Sequence, residues 1–323
     1  MNQFTQSAMK GEVMKKNRIS FSNVLALLAI SLLAFAPSAS AQQQMSTQAA
    51  AAQTQTGKTD SRILYHNGRV MIGSSNLYLI WYGCWDYNCG TAGDPATRSI
   101  VEDFASNVGA SPYLQINAGY PNDVGQAPSS ALPVGAAVSD NYSHGLELKV
   151  SDIQAIVSDQ ITNLILPYDP AGIYVVLASA DVSSPESGFC NASAQPHHGV
   201  VYGLGSGIYY AFVGNPMRCP SVAAPQFMSG ATMLPSPNGN VAADAMASTL
   251  AHVLDTTLTN PAGDGWFDRY GLQNADKCAN QFGTTWSTPN GARANLRLGQ
   301  RDYLIQHNWV NDKRGRCAIN TSQ

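Results

Sequence analysis

The sequence predicts an α+β or α/β fold: a single mixed-sheet domain with packing helices and long disulfide-linked loops. Three observations predict it. Short runs apolar on both faces alternate with longer segments apolar on one face only, which are the patterns of covered strands and of amphipathic helices. Stretches dense in Gly, Pro, Ser and Asn separate them and read as loops. Six cysteines lie within or beside those loops.

The chain opens on a basic patch (Lys15, Lys16, Arg18), an apolar run over 24–36, then Pro37 and the small residues Ala39, Ser40 and Ala41. Met14 offers an alternative start directly before the two lysines. That is the layout of a secretory signal peptide cleaved before Gln42, and the apolar run is short for a membrane span of about twenty residues. Residues 42–58 are rich in Gln, Ala, Thr and Ser. They hold too little bulky apolar surface to offset the entropy of ordering and read as a low-complexity spacer. The organisation expected is therefore a signal peptide over 1–41, a spacer over 42–58 and a folded domain over 59–323. Losing 1–41 removes four basic residues and one acidic one, so the formal charge moves from −3 to −6. A mildly acidic chain without a basic stripe argues against nucleic acid or an anionic membrane as partner.

Within the domain, residues 64–68 read as a strand entering an Asn-Gly turn, and residues 76–82 as a strand buried on both faces in mid-sheet. Asp94 and Pro95 supply an N-cap and a first helical residue, and Ile100, Val101, Phe104 and Val108 follow at helical spacing. Residues 109–140 read as loop, with a short strand near 113–116. The pair Ser151 and Gln154 has the spacing of a capping box ahead of Ile153, Ile156, Val157, Ile161 and Leu164. Residues 173–178 and 208–213 are buried strands, and the glycines at 203, 205 and 207 make a hairpin turn rather than a phosphate cradle. Residues 214–240 read as loop. A third helix covers 242–258, with Met246, Leu250, Val253, Leu254 and Leu258 on one face. The tail is irregular, with Trp266, Trp286 and Trp309 as packing anchors.

All six cysteines follow the leader, and an even count in an exported chain favours disulfides. Fifteen connectivities are open; the pairing of neighbours is the one we expect, Cys84 with Cys89, Cys190 with Cys219, and Cys278 with Cys317. A zinc cluster is the rival reading, against which stands the absence of any C-x-x-C spacing.

Several segments together resemble the Exordium (phosphate-induced protein) family of plant cell walls. They are Tyr65-His66-Asn67-Gly68, then Asn76-Leu77-Tyr78-Leu79-Ile80-Trp81-Tyr82-Gly83; Asp140-Asn141-Tyr142-Ser143-His144-Gly145; Leu177-Ala178-Ser179-Ala180-Asp181-Val182 with Gly188-Phe189-Cys190; Phe212-Val213-Gly214-Asn215 with Cys219-Pro220; and Pro237-Asn238-Gly239-Asn240-Val241 with Thr259-Asn260-Pro261. They occur in family order. The chain departs from the plant pattern in having Cys84 and Cys89, and in lacking a second cysteine soon after Cys190. The resemblance implies an exported protein of the wall or extracellular space, the periplasm included, with no settled biochemical activity; the short lysine-rich leader also suits a bacterial member.

On the third helix Asp244, Ser248, His252, Asp255 and Thr259 fall on one stripe opposite the apolar face. Zinc hydrolases carry a His, a Glu one residue on as general base, and a second ligand a turn along. Here Val253 follows His252 and position 256 is Thr. The helix thus resembles a zincin-like one that has lost its base, and a solvated stripe with a buried or capping histidine is the simpler expectation. The candidate ligands for a zinc ion are His252, Asp255, Asp276, His197 and His198, and no catalytic residue is assigned. Trp85 and Tyr87, beside Cys84 and Cys89, are candidate sugar-binding rings. Asp86, Asp181 and Glu186 are weaker candidates for a glycosidase pair. A non-catalytic exported protein that binds cell-wall polysaccharide or an extracellular protein is the leading expectation; a divergent zinc-dependent hydrolase is the alternative.

Overall fold

The computed structural model describes residues 62–322. The signal peptide and spacer expected over 1–58 lie outside the described residues. A five-stranded mixed sheet is built from β1 (Leu77–Tyr82), β2 (Val134–Asp140), β3 (Ile173–Ala178), β4 (His198–Val201) and β5 (Ile208–Gly214), in the order β2-β1-β3-β5-β4. The first four strands of that order run parallel, and β4 is the antiparallel edge, joined to β5 by the expected hairpin. Strands β1 and β3 are buried at every position, as runs apolar on both faces require in mid-sheet.

Three helices cover the sheet: α1 (Pro95–Val108), α2 (Val150–Thr162) and α3 (Val241–Thr259). Ile100, Val101 and Phe104 of α1 share a core with Leu250, Val253 and Leu254 of α3 and with Leu79, Trp81, Val175 and Leu177. Ile153, Ile156 and Val157 of α2 pack on the opposite face with Ile80, Tyr82, Val176 and Phe212. The result is a helix–sheet–helix sandwich. The connection leaving β1 runs outward to β2, whereas that leaving β3 runs the other way, to the edge strand β4, from which the hairpin returns to β5. The carboxyl ends of β1 and β3 therefore flank a point where the strand order reverses.

Several expectations are corrected. Helix α2 starts at Val150 because Asp152 accepts the Lys149 backbone N–H at 2.8 Å. Ser151 is thus inside the helix, and the Gln154 amide donates to the Val200 carbonyl and the Tyr210 hydroxyl instead of capping. The helix stops at Thr162, and Leu164, at φ 59°, stands 89 % exposed. Residues 113–116 do not form a strand: Leu114–Gly119 is a 3-10 helix. The strand in that region is β2, whose small residues alternate between half-buried and exposed on the sheet edge. The segment 214–240 carries single helical turns at Pro216–Arg218 and Pro220–Ala223 and a hairpin of Met228–Ser229 with Thr232–Met233. The tail pairs as short antiparallel ladders, among them Leu296–Leu298 with Arg301–Tyr303 and Asn308–Val310 with Arg316–Ala318. Trp266 and Trp309 are half-buried, but Trp286 is exposed and anchors no core.

The three disulfides join Cys84 to Cys89, Cys190 to Cys219 and Cys278 to Cys317, the pairing of neighbours.

Candidate functional site

Two polar regions stand out, and the first is the α3 stripe. It is not solvated: Asp244, Ser248, His252, Asp255 and Thr259 are all buried. Tail and loop residues pack over it and supply its hydrogen-bond partners, as buried polar groups demand. The Gln306 amide donates to the Ala275 carbonyl at 3.2 Å and to His252 Nδ1 at 2.8 Å. With Nδ1 accepting, the ring proton sits on Nε2, which donates to Asp276 Oδ1 at 2.8 Å. Asp276 Oδ2 accepts the Gln273 backbone N–H. Burial pushes the Asp276 carboxyl up, but the His252 hydrogen bond and the Gln273 N–H outweigh it and leave the group below its usual range.

Asp255, one turn along, faces other partners. Its Oδ2 accepts Tyr113 Oη and its Oδ1 accepts Asn117 Nδ2, both at 2.6 Å. Asn117 Oδ1 in turn accepts from Asn274 and Asn308. No cation pairs with Asp255 among the described residues, and burial pushes its carboxyl up to about 7 against the pull of Tyr113 and Asn117. Desolvation holds the Tyr113 phenol well above its usual range, so it remains a donor.

His197 Nε2 meets Tyr210 Oη at 2.9 Å, and His198 donates Nε2–H to Gln273 Oε1 at 3.1 Å. His198 lies near Asp276 and His252, and burial pushes its ring down to about 4. His198, Asp276 and His252 therefore lie near one another beside α3, whereas His197 turns to Tyr210 of the α2-side core. Even so, no three of the five candidate ligands present donor atoms within 4.8 Å of one another among the described residues. Both nitrogens of His252 are already bonded within the protein, and Asp255 serves a separate network. As arranged, these residues do not fit a zinc ion. The set that does meet that distance is Cys84, Asp86 and Cys89, and its two sulfurs are bonded to each other.

The second region is the carboxyl edge of the sheet. At the end of β1, Gly83 takes φ +98°, and a Cβ there would lie 2.0 Å from Ser179 Oγ. Only glycine fits this close approach. At the end of β2, Asp140 accepts the Ser143 N–H and Oγ–H, fixing a turn in which Tyr142 adopts φ 56°. Tyr142 Oη then donates to Asp181 Oδ2 at 2.7 Å, and Ser179 Oγ donates to Asp181 Oδ1 at 2.6 Å. Burial and the bond to Asp181 raise the Tyr142 phenol, which keeps it protonated as donor. Arg218 Nη1 reaches the carbonyls of Ala180 and Asp181 at 3.4 and 3.2 Å. Beside Asp181 opens a cavity of about 560 Å³ lined by Cys89, Thr91, Ala92, Ala180, Asp181 and Met217.

Trp85 is buried in the core, edge-on to Trp81, with its indole N–H on the Tyr82 carbonyl. It presents no ring to solvent, whereas Tyr87 is 91 % exposed. Asp86 and Glu186 are occupied locally, Asp86 accepting the Asn88 N–H and Glu186 the Val150 N–H. Asp181 was legible as a carboxylate of interest. Its alignment by Tyr142 was not, since Tyr142 follows β2 and Asp181 follows β3. The signal that finds it is positional: polar residues directly after consecutive parallel strands.

A disulfide-bonded helix–sheet–helix sandwich with a crevice beside Asp181 at the carboxyl edge of its strands is thus the class of protein defined here. The family model described as the phosphate-induced protein 1 conserved region matches residues 63–314, and the chain belongs to that family. It is 28 % identical to Exordium-like 3 of Arabidopsis thaliana over 77 % of this chain and 80 % of that protein. It is 30 % identical to Exordium-like 5 of the same plant over 63 % of this chain and 59 % of that protein. Phosphate-induced 1 of Nicotiana tabacum is 27 % identical over 63 % of this chain and 66 % of that protein. No solved structure matches.

Proposed function

We propose that this Exordium-family protein is exported and acts outside the cytosol, in the wall or extracellular space, by binding cell-wall polysaccharide without transforming it. The observation that carries the reading is the pairing of all six cysteines into three disulfides. Such bonds persist in oxidising compartments and are rare where thiols are kept reduced. The leader-like opening of the chain agrees with it, and no helix among the described residues is long and apolar enough to cross a membrane. The buried, doubly bonded His252 supports a binding role over a hydrolytic one, because an attacking water would have neither an open metal position nor a base.

The test has two parts. Fractionation with thiol labelling is expected to find the chain outside the cytosol with no reactive thiol; a cytosolic chain with free thiols overturns export. Purified protein is expected to be retained on insoluble cellulose, xylan or peptidoglycan and to hold no zinc by elemental analysis. Stoichiometric zinc that disappears in His252→Ala would instead favour the hydrolase alternative.

A further inference from the structure

The cavity beside Asp181 lies where open parallel sheets place ligands: outside the carboxyl ends of the strands, at the reversal of strand order. Its residues follow three successive sheet strands, Cys89, Thr91 and Ala92 after β1, Ala180 and Asp181 after β3, and Met217 after β5. The floor is fixed by a backbone bond from Ala180 N–H to the Ala92 carbonyl at 2.6 Å. The loop from β1 is tied back by the Cys84–Cys89 bridge. At about 560 Å³ it falls within the range of about 300–1,000 Å³ typical of small-molecule sites.

The lining selects a ligand chemistry. Each oxygen of Asp181 accepts one hydrogen bond, from Ser179 or Tyr142, and a carboxylate oxygen has a second lone pair to offer. The carboxylate is thus pre-aimed and half-satisfied, an acceptor for two adjacent donors. A free anion is opposed by Asp181 itself. A free cation is opposed by Arg218, whose guanidinium sits on the Ala180 and Asp181 carbonyls. Met217, the Thr91 methyl and the two alanines give apolar walls. A neutral molecule with neighbouring hydroxyls on a ring that also shows C–H faces meets all these conditions, and that describes a sugar.

We infer that this crevice is the polysaccharide-binding site, taking a neutral sugar unit whose vicinal hydroxyls are gripped by Asp181. The inference rests on the proposed binding role and assigns it to one place. Tyr87, exposed on the loop closed by the same disulfide, offers a ring for stacking against a further unit.

The test uses the full mature chain, Asp181→Asn and Thr91→Arg, the last placing a long side chain at an exposed lining position. Retention on cellulose, xylan and peptidoglycan is measured beside near-ultraviolet circular dichroism. Separately, the Met217 methyl NMR signal is followed during titration with cellobiose, xylobiose and N-acetylglucosamine. The expected result is a shift of the Met217 methyl in the wild-type chain. Affinity should be at least about tenfold weaker in Asp181→Asn, as loss of a charged hydrogen bond implies, and binding should be lost in Thr91→Arg with the fold intact. Wild-type-like retention by both variants overturns the assignment while leaving the binding role standing. A Met217 response without polymer retention upholds the sugar site and overturns the wall-binding role. Neither response nor retention sinks both.

Discussion

The α3 stripe and the carboxyl edge of the sheet use similar side chains to opposite ends. On α3, His252 and Asp255 are surrounded by Gln306, Asp276, Tyr113 and Asn117, and each of their side-chain N and O atoms has a partner inside the protein. At the sheet edge, Asp181 is likewise held by two donors, but it is exposed, so its remaining lone pairs are within reach of solvent or a ligand. The first arrangement is scaffolding: it ties the tail and the 273–276 segment onto the helix. The second leaves valence for something from outside. Residue type in a sequence therefore does not separate site from scaffold, and neither does the number of internal donors, two each for Asp255 and Asp181; burial does.

The sharpest way to break this comparison is to remove one partner from each region. His252→Ala leaves the Asp276 carboxylate and the Gln306 amide buried and short of a partner. It should cost about 3–5 kcal/mol of unfolding free energy in denaturant titration, whereas Asp181→Asn should cost less than about 1 kcal/mol. Equal costs would mean that Asp181 is also scaffolding. Next come the disulfides. Cys278–Cys317 spans 39 residues and Cys84–Cys89 only 5, so chain entropy predicts losses of about 4 and about 2 kcal/mol when each is replaced by two alanines. The smaller loss should nonetheless be the one that weakens sugar binding.

A smaller effect is written in pH. The Asp255 carboxyl sits at about 7 in the folded chain, above its value of about 4 when unfolded. Between those values the folded state holds the extra proton, so this group's stabilisation is full below pH 4 and is lost as pH rises through 7. The slope is at most about 1.4 kcal/mol per pH unit. His198, pushed down to about 4, acts oppositely, its stabilisation being lost as pH falls from about 6.5 toward 4. Comparing Asp255→Asn with the parent chain across pH 4–8 isolates the carboxyl: the difference in stability should shift in favour of the variant as pH rises. A flat difference would show that Asp255 does not titrate there.

The sheet and helices were readable because their signals are local. Residues 77–82 and 173–178 are apolar on both faces, and Asp94 with Pro95 marks a helix start whose cap is observed, Asp94 Oδ1 accepting the Thr97 N–H. Strand β2 escaped because Val134, Gly135, Ala136 and Ala137 give an edge strand little apolar contrast. The α3 stripe was found but misjudged as solvated. Its spacing is a property of the helix, while its burial depends on Gln306, 54 residues from His252, and on Asn117, 138 residues from Asp255. Trp85 was misjudged for the same reason: a turn after a strand folded it back onto Trp81.

The front of the described chain is clasped to its end. Ile63 exchanges hydrogen bonds with Asn311 across 248 positions, and Leu64 and Tyr65 form a ladder with Phe267 and Trp266. A polypeptide made amino end first therefore cannot close this clasp until nearly all of it has emerged. Contacts of such sequence separation slow folding, so the segment around Ile63 stays open to proteases and chaperones until Asn311 arrives. Removing residues beyond Ala318 would leave the latch and the ladder behind it in place, whereas stopping short of Asn311 would leave the opening strand without that fastening.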